Sequence, residues 1–199
     1  MSLPTYDKSK RKKAFEQLPK GAYVVKFVGV KQEKNKNNDG QHLTFAFDIA
    51  EGEYKGYWDK RFQDMKANNE EAKWPNDAIY YLTIPADGSQ QFVYDTWNTF
   101  FADLEDSNNG FVFDGDIKKL KGKLIGGKFH IEQTEYNGKI YNHTKLRWTC
   151  VAEDVRKGKP GNMPSDKLLA SSSSMNTSPQ SGSDDFMTIP DGADEELPF

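Results

Sequence analysis

The chain has 199 residues, a length that fits one domain of about 150 residues followed by a tail. Its single cysteine, Cys150, excludes an internal disulfide and a cysteine-rich metal site, and three scattered histidines make no zinc pattern. No apolar run approaches the roughly 20 residues of a membrane span, and no signal-peptide apolar region opens the chain. A cytosolic protein without membrane contact is therefore expected.

Charge is divided unevenly along the chain. Residues 1–160 carry 26 Lys and Arg against 23 Asp and Glu, a net charge of +3. Residues 161–199 carry 1 against 7, a net charge of −6. Nearly all aromatic residues precede position 150. This charge distribution favours binding of polyanions by the basic residues 1–160, the body of the protein, and not by the acidic tail.

Residues 1–20 are predicted to form a basic arm, and three strands are predicted after it. The arm is either a solvated, poorly ordered segment or a source of additional phosphate contacts. Gly21–Gln32 and His42–Ala50 are rich in β-branched and aromatic residues with period-two alternation, which is typical of strands. Tyr54–Phe62 also alternates and is predicted as strand three. Its cations and aromatics include Tyr57, Trp58 and Arg61.

A helix and a final hairpin are predicted in the second half of the body. The stretch before the helix is predicted as loop, with Ala78–Pro85 as a short additional strand. Phe92–Leu104 places its large apolar residues on one helical face. Leu124–Gln133 and Ile140–Val151 flank an Asn-Gly turn, a strong hairpin signal. In the last strand, Leu146, Trp148 and Cys150 are expected to face the core.

The end of the chain is predicted as a disordered linker, residues 156–190, and an acidic tip, residues 191–199. Gly, Pro, Ser, Asn and Asp dominate the linker. The tip ends in three acids, an aliphatic residue, Pro and Phe. A terminal Phe offers a ring for an apolar pocket and a carboxylate for a basic side chain. The alternative interpretation is an acidic, solubilising tail. The residues predicted to bind a partner are Asp194, Glu195, Glu196, Leu197, Pro198 and Phe199.

These final residues resemble the C-terminal tip of bacterial single-stranded DNA-binding proteins. The predicted order β-β-β-α-β-β is that of the OB-fold, a five-stranded barrel that binds oligonucleotides. The chain as a whole therefore resembles a single-stranded DNA-binding protein of the divergent kind that phages or mobile elements carry. The resemblance implies a mainly β fold: an OB-fold barrel over residues 21–155, with one helix between strands 3 and 4, plus a disordered C-terminal tail.

The resemblance also implies a function. The protein would coat single-stranded DNA in replication, recombination and repair in a bacterial cytoplasm. Its tip would recruit a helicase, primase, recombination mediator or nuclease. It would be no enzyme and would need no cofactor or metal. The alternative is an interaction protein that mimics the tip and binds replication or repair enzymes without DNA. The oligomeric state is left open, a homo-oligomer included.

Sequence-tolerant binding of a single strand needs cations along the backbone path and aromatic faces for bases. This mixture occurs on two predicted strands, at the hairpin tip and in the first loop. The alternative interpretation of the last strand is that its polar face is an ordinary solvated sheet face with no binding role. For Trp58, packing in the core is the alternative to a contact with DNA. The spacing from Gly122 to Lys128 matches a phosphate-binding loop, but Phe129 stands where Ser or Thr is needed. The candidate DNA-binding residues are Lys26, Lys34, Tyr57, Trp58, Arg61, Tyr136, Lys139, Tyr141, His143, Lys145 and Arg147.

Overall fold

A computed structural model describes residues 15–35 and 40–169. Five antiparallel strands form one sheet in the order β3-β2-β1-β4-β5. The sheet curls so that β3 and β5 approach each other, which makes a nearly closed barrel. The strands are β1 (Gly21–Lys34), β2 (Gln41–Ile49), β3 (Ile79–Ile84), β4 (Leu124–Tyr136) and β5 (Lys139–Cys150).

In the described part of the chain, three helices accompany the strands: α1 (Tyr57–Asn68), α2 (Gln91–Asp106) and α3 (Ala152–Arg156). Short 3₁₀ turns cover Asn76–Ala78 and Ile117–Leu120. The mainly β fold and the OB-like barrel are confirmed, with α2 between β3 and β4. Within the described residues, no helix has the length and apolar character needed to cross a membrane.

Strand β1 connects the two halves of the barrel. Its first residues pair with β4, and from Val25 onward it pairs with β2. A bulge between Phe27 and Gly29 shifts the register with β2. Because a bulge bends a strand and increases its twist, one 14-residue strand can serve both halves. The β4–β5 hairpin turns at Asn137 and Gly138, both with positive φ, as the Asn-Gly signal predicts.

The barrel core is largely aromatic and is closed by a helix at each end. Phe100 of α2 lies 5.0 Å from Phe45 and 5.9 Å from Tyr80 between ring centroids. At the other end, where β1 begins and β2 ends, α1 buries Tyr57 and Trp58. Burying such large rings supplies much of the hydrophobic free energy of a small barrel.

The prediction of a strand over Tyr54–Phe62 is wrong, because α1 begins at Tyr57. Gly56 adopts a left-handed conformation that turns the chain into the helix. The Asp48 carboxylate then accepts the Trp58 backbone N–H at 2.9 Å, which caps the first turn. The third strand is Ile79–Ile84, within the segment predicted only as a short additional strand.

The compact unit extends past the predicted boundary at residue 155 and ends at Leu169. Beyond α3 the chain returns to β4. Lys167 N–H donates to the Ile131 carbonyl and Gln133 N–H donates to the Lys167 carbonyl, both at 2.9 Å. This bridge covers a stretch of β4 that extends past its pairing with β1. Residues 1–14 of the predicted arm, 170–190 of the linker and the tip lie outside the described residues.

Gly126 of β4 is expected to resist substitution. A Cβ added there would lie 2.7 Å from Cys150 Sγ and 2.9 Å from the Cys150 carbonyl oxygen, and the backbone cannot move aside. We expect Gly126→Ala to lower the free energy of unfolding by about 1–3 kcal/mol, measured by urea denaturation. The control is Gly29→Ala, whose Cβ would meet only Ala46 Cβ at 3.9 Å. Equal stabilities of the two variants would contradict this account.

Candidate nucleic-acid interface

A groove of about 220 Å³ lies between the segment before β1, the start of α1 and the first half of β5. Its lining includes five of the predicted DNA-binding residues. These are Tyr57, Trp58, Arg61, Tyr141 and His143. The fold thus brings residues far apart in the sequence to one site, because the N-terminal segment and α1 both lie beside β5.

Tyr57 anchors the wall of the groove. Its hydroxyl donates to the Glu16 carbonyl and accepts from the Leu18 backbone N–H, both at 2.8 Å. Burial raises the pKa of Tyr57, so the hydroxyl stays protonated and keeps donating. The ring is 8% exposed and that of Trp58 is 1% exposed. The prediction that Tyr57 offers a free stacking face is wrong, because its ring is built into the end of the barrel. Trp58 is also buried there, as the alternative of core packing expects.

A cluster of charged side chains lies at the bottom of the groove. Asp77, in the turn before β3, has one carboxylate oxygen 3.1 Å from His143 Nδ1 and the other 3.6 Å from an Arg61 guanidinium nitrogen. The other imidazole nitrogen of His143 lies 2.9 Å from the Thr134 hydroxyl. Asp77 was not among the predicted site residues. It joins α1 to β5 electrostatically.

Two exposed aromatic side chains form the rim. Phe15 is 41% exposed and Tyr141 is 45% exposed. The Arg61 guanidinium lies 5.9 Å from the Phe15 ring centroid and 5.6 Å from that of Trp58, within cation–π range. The groove therefore presents ring faces and a cation side by side, the combination that single-strand binding needs.

The other β5 candidates continue from the groove along the same strand. Lys145 lies 3.1 Å from Glu132 on β4, so part of its charge is neutralised. Arg147 is exposed. Burial raises the pKa of Tyr80 on β3 to about 12, while the nearby Arg147 charge acts in the opposite direction. Arg147 therefore lies at the seam between β5 and β3.

Two candidates lie at the hairpin tip and two on β1. Tyr136 and Lys139 are exposed at the tip, next to the groove-lining part of β5. Lys34 ends β1 and pairs with Gln41, which in turn pairs with the end of β3. Lys26 is exposed, but β1 is separated from β3 by β2 and from β5 by β4. The fold does not bring Lys26 to the groove.

The prediction that Trp148 faces the core is wrong, because the residue is 44% exposed. Lys128 pairs with Trp148, whereas its neighbour Phe129 pairs with Leu146. Arg147 is thus an extra residue in β5, and this bulge breaks the alternation of faces. Leu146 and Cys150 remain buried as predicted.

Tyr81 on β3 is the main exposed aromatic residue that sequence reasoning missed. It is 63% exposed, and its ring lies edge-on 5.4 Å from that of His42 on β2. The face of strands 2 and 3 is the one that OB-folds use for oligonucleotides. A signal existed, because Tyr81 and Thr83 flank the buried Leu82 in a short alternating run.

Comparison with known proteins gives one family. The sequence profile of a family described as Protein of unknown function (DUF669) matches residues 4–88. The matched part includes β1, β2, α1 and β3 and is less than half of the chain. It contains one wall of the groove and Asp77, but not the β5 wall. No curated protein matches the chain.

The Tyr57 hydroxyl is expected to stabilise the fold. Tyr57→Phe leaves the buried Leu18 N–H and the partly buried Glu16 carbonyl without this partner. We expect the free energy of unfolding to fall by about 1–3 kcal/mol in urea denaturation. Tyr136→Phe, at a residue that is 55% exposed, is the matched control and should change it by less than about 0.5 kcal/mol. A Tyr57→Phe variant as stable as the control would show that the anchor is dispensable.

Proposed function

We propose that this protein is a non-enzymatic single-stranded DNA-binding protein that coats DNA exposed in replication, recombination and repair. The observation that carries the proposal is the groove of the OB-like barrel, where Arg61, Tyr141 and His143 come together beside the exposed ring of Phe15. From there Lys145 and Arg147 continue along β5 to the seam with β3, where Tyr81 is exposed.

The arrangement suits a flexible strand better than a duplex. Bases of a single strand are free to stack on aromatic side chains, and each stacked base is worth about 1–3 kcal/mol. The exposed rings of Phe15 and Tyr141 lie beside Arg61, and the cations Lys145 and Arg147 follow on β5, so both bases and phosphates can be contacted. A protein that used only its tip would have no need of such a path.

We further propose that the tip, Asp194–Phe199, recruits a partner enzyme of DNA replication or recombination. The tip lies outside the described residues, and the proposal rests on its sequence. Its acids favour a basic partner surface, and the ring of Phe199 provides an apolar anchor. Coating and recruitment are then carried by separate parts of one chain.

Direct titration tests DNA binding. We expect the full-length protein to bind fluorescein-labelled oligo(dT) with a Kd in about the nanomolar-to-micromolar range and a duplex of equal length more weakly. Affinity should fall about tenfold or more between about 50 and 200 mM salt, because phosphate contacts release counterions. Equally weak binding of oligo(dT) and duplex at low salt would overturn the proposal and leave the tip-only interaction protein as the better account.

A triple variant locates the interface. Replacing Tyr141, Lys145 and Arg147 by Ala should weaken oligo(dT) binding at least about tenfold and make its salt dependence shallower, since one ring and two cations are lost. The charge-matched control is the Lys157→Ala/Lys159→Ala double variant, which removes two exposed cations just after α3. α3 contacts β1 and β4 rather than the β3–β5 seam. Equal losses in both variants would mean that only net charge matters.

Removing the tail tests whether it competes with DNA. Residues 170–199 carry six Asp and Glu and no Lys or Arg, and deleting 190–199 removes four of the six. A tethered polyanion competes at a high effective concentration. The deletion should therefore tighten oligo(dT) binding at low salt, and the gain should disappear at high salt as charges are screened. Unchanged affinity at low salt would contradict this competition.

A further inference from the structure

We propose that the groove between α1 and β5 receives one unstacked nucleobase and reads its Watson–Crick edge through the carboxylate of Asp77. This inference deepens the proposed function and rests on it. It predicts that the protein binds thymine, whose ring N–H can donate to this carboxylate, more tightly than a thymine on which that N–H is blocked.

Asp77 retains acceptor capacity in the groove. An ionised carboxylate has about four lone-pair sites. His143 Nδ1 lies 3.1 Å from one oxygen and 3.4 Å from the other. The Arg61 nitrogen lies 3.6 Å from this second oxygen, beyond normal hydrogen-bond length. The carboxylate is only 13% exposed yet lines the groove. A ring N–H of a base entering the groove therefore has a charged acceptor to donate to.

The same groove has a cationic donor beside the carboxylate. Arg61 has five N–H donors, and the 3.6 Å approach of one guanidinium nitrogen to Asp77 does not occupy them. The Arg61 side chain is 38% exposed and lines the groove. A carbonyl oxygen of the base matches these donors.

The rim supplies stacking surfaces for the ring of the base. Phe15 and Tyr141 are each more than two-fifths exposed and belong to the lining of the groove. Aromatic rings beside a polar floor are how proteins hold an extruded base, stacked on its faces and hydrogen-bonded along its edge. Donors and an acceptor thus lie below two aromatic side chains.

The charges favour a base over a phosphate at this point. The Arg61 charge is offset by Asp77, and a phosphate would have to approach a carboxylate of the same sign. A neutral base meets no such repulsion. Cytosine and adenine can donate to the carboxylate only from their exocyclic amino group, because the ring nitrogen on their Watson–Crick edge is unprotonated. Thymine has no amino group and can donate only from its ring N3–H.

A chemically modified ligand tests the inference on the unaltered protein. Full-length protein is titrated with oligo(dT) and with an oligomer of N3-methylthymidine of equal length. The N3-methyl group removes the ring N–H and keeps the phosphates, the carbonyl oxygens and the stacking ring. We expect oligo(dT) to bind at least about tenfold tighter than the methylated oligomer, because one hydrogen bond to a charged group is lost.

Asp77→Asn provides the matched protein variant. The amide keeps the size of the side chain but removes its charge and replaces one acceptor by a donor, so the preference for oligo(dT) over the N3-methylated oligomer should shrink. Thermal unfolding checks that the variant remains folded. The ligand comparison on the unaltered protein does not depend on the variant. Equal binding of the two oligomers by the unaltered protein overturns base reading while DNA binding survives. Binding of neither overturns the proposed function and, with it, this inference.

Discussion

The candidate site depends on one buried carboxylate. Asp48, at the end of β2, is 7% exposed and accepts backbone N–H groups of Ile49 and Trp58. Burial raises its pKa, while the backbone hydrogen bonds oppose that rise by favouring the charged form. The interaction fixes the first turn of α1 against the barrel. The positions of Trp58 and Arg61 relative to β5 follow from that contact.

Other contacts complete the groove from distant parts of the chain. Tyr57 holds the segment before β1, and the Thr144 hydroxyl donates to the Leu18 carbonyl from the other side. Asp77 joins α1 to β5 through Arg61 and His143. Each contact spans a long sequence separation, so the groove exists only when the barrel has closed. This dependence couples the integrity of the site to the stability of the whole unit.

Strands with strong alternation could be predicted from the sequence, and so could α2 and the Asn-Gly hairpin. Their local signals agree with their tertiary surroundings. α1 could not, because Tyr57 and Arg61 share a face in a strand as well as in a helix. The deciding Asp48 cap is a tertiary contact. The β5 side of the groove was predicted from residue types alone. Asp77 and Phe15 carry no local signal and become visible only when β5 lies beside them.

The return of the chain to β4 has a consequence for solubility. An uncovered strand edge is a template for pairing with another molecule, and such pairing leads to aggregation. Asp166 and Lys167 occupy the backbone groups of Ile131 and Gln133 that would otherwise form such an edge. A protein shortened to residue 155 would expose this edge beside the hairpin that carries Tyr136 and Tyr141. One that extends to Leu169 keeps it covered, so the segment after α3 acts as a built-in guard against self-association.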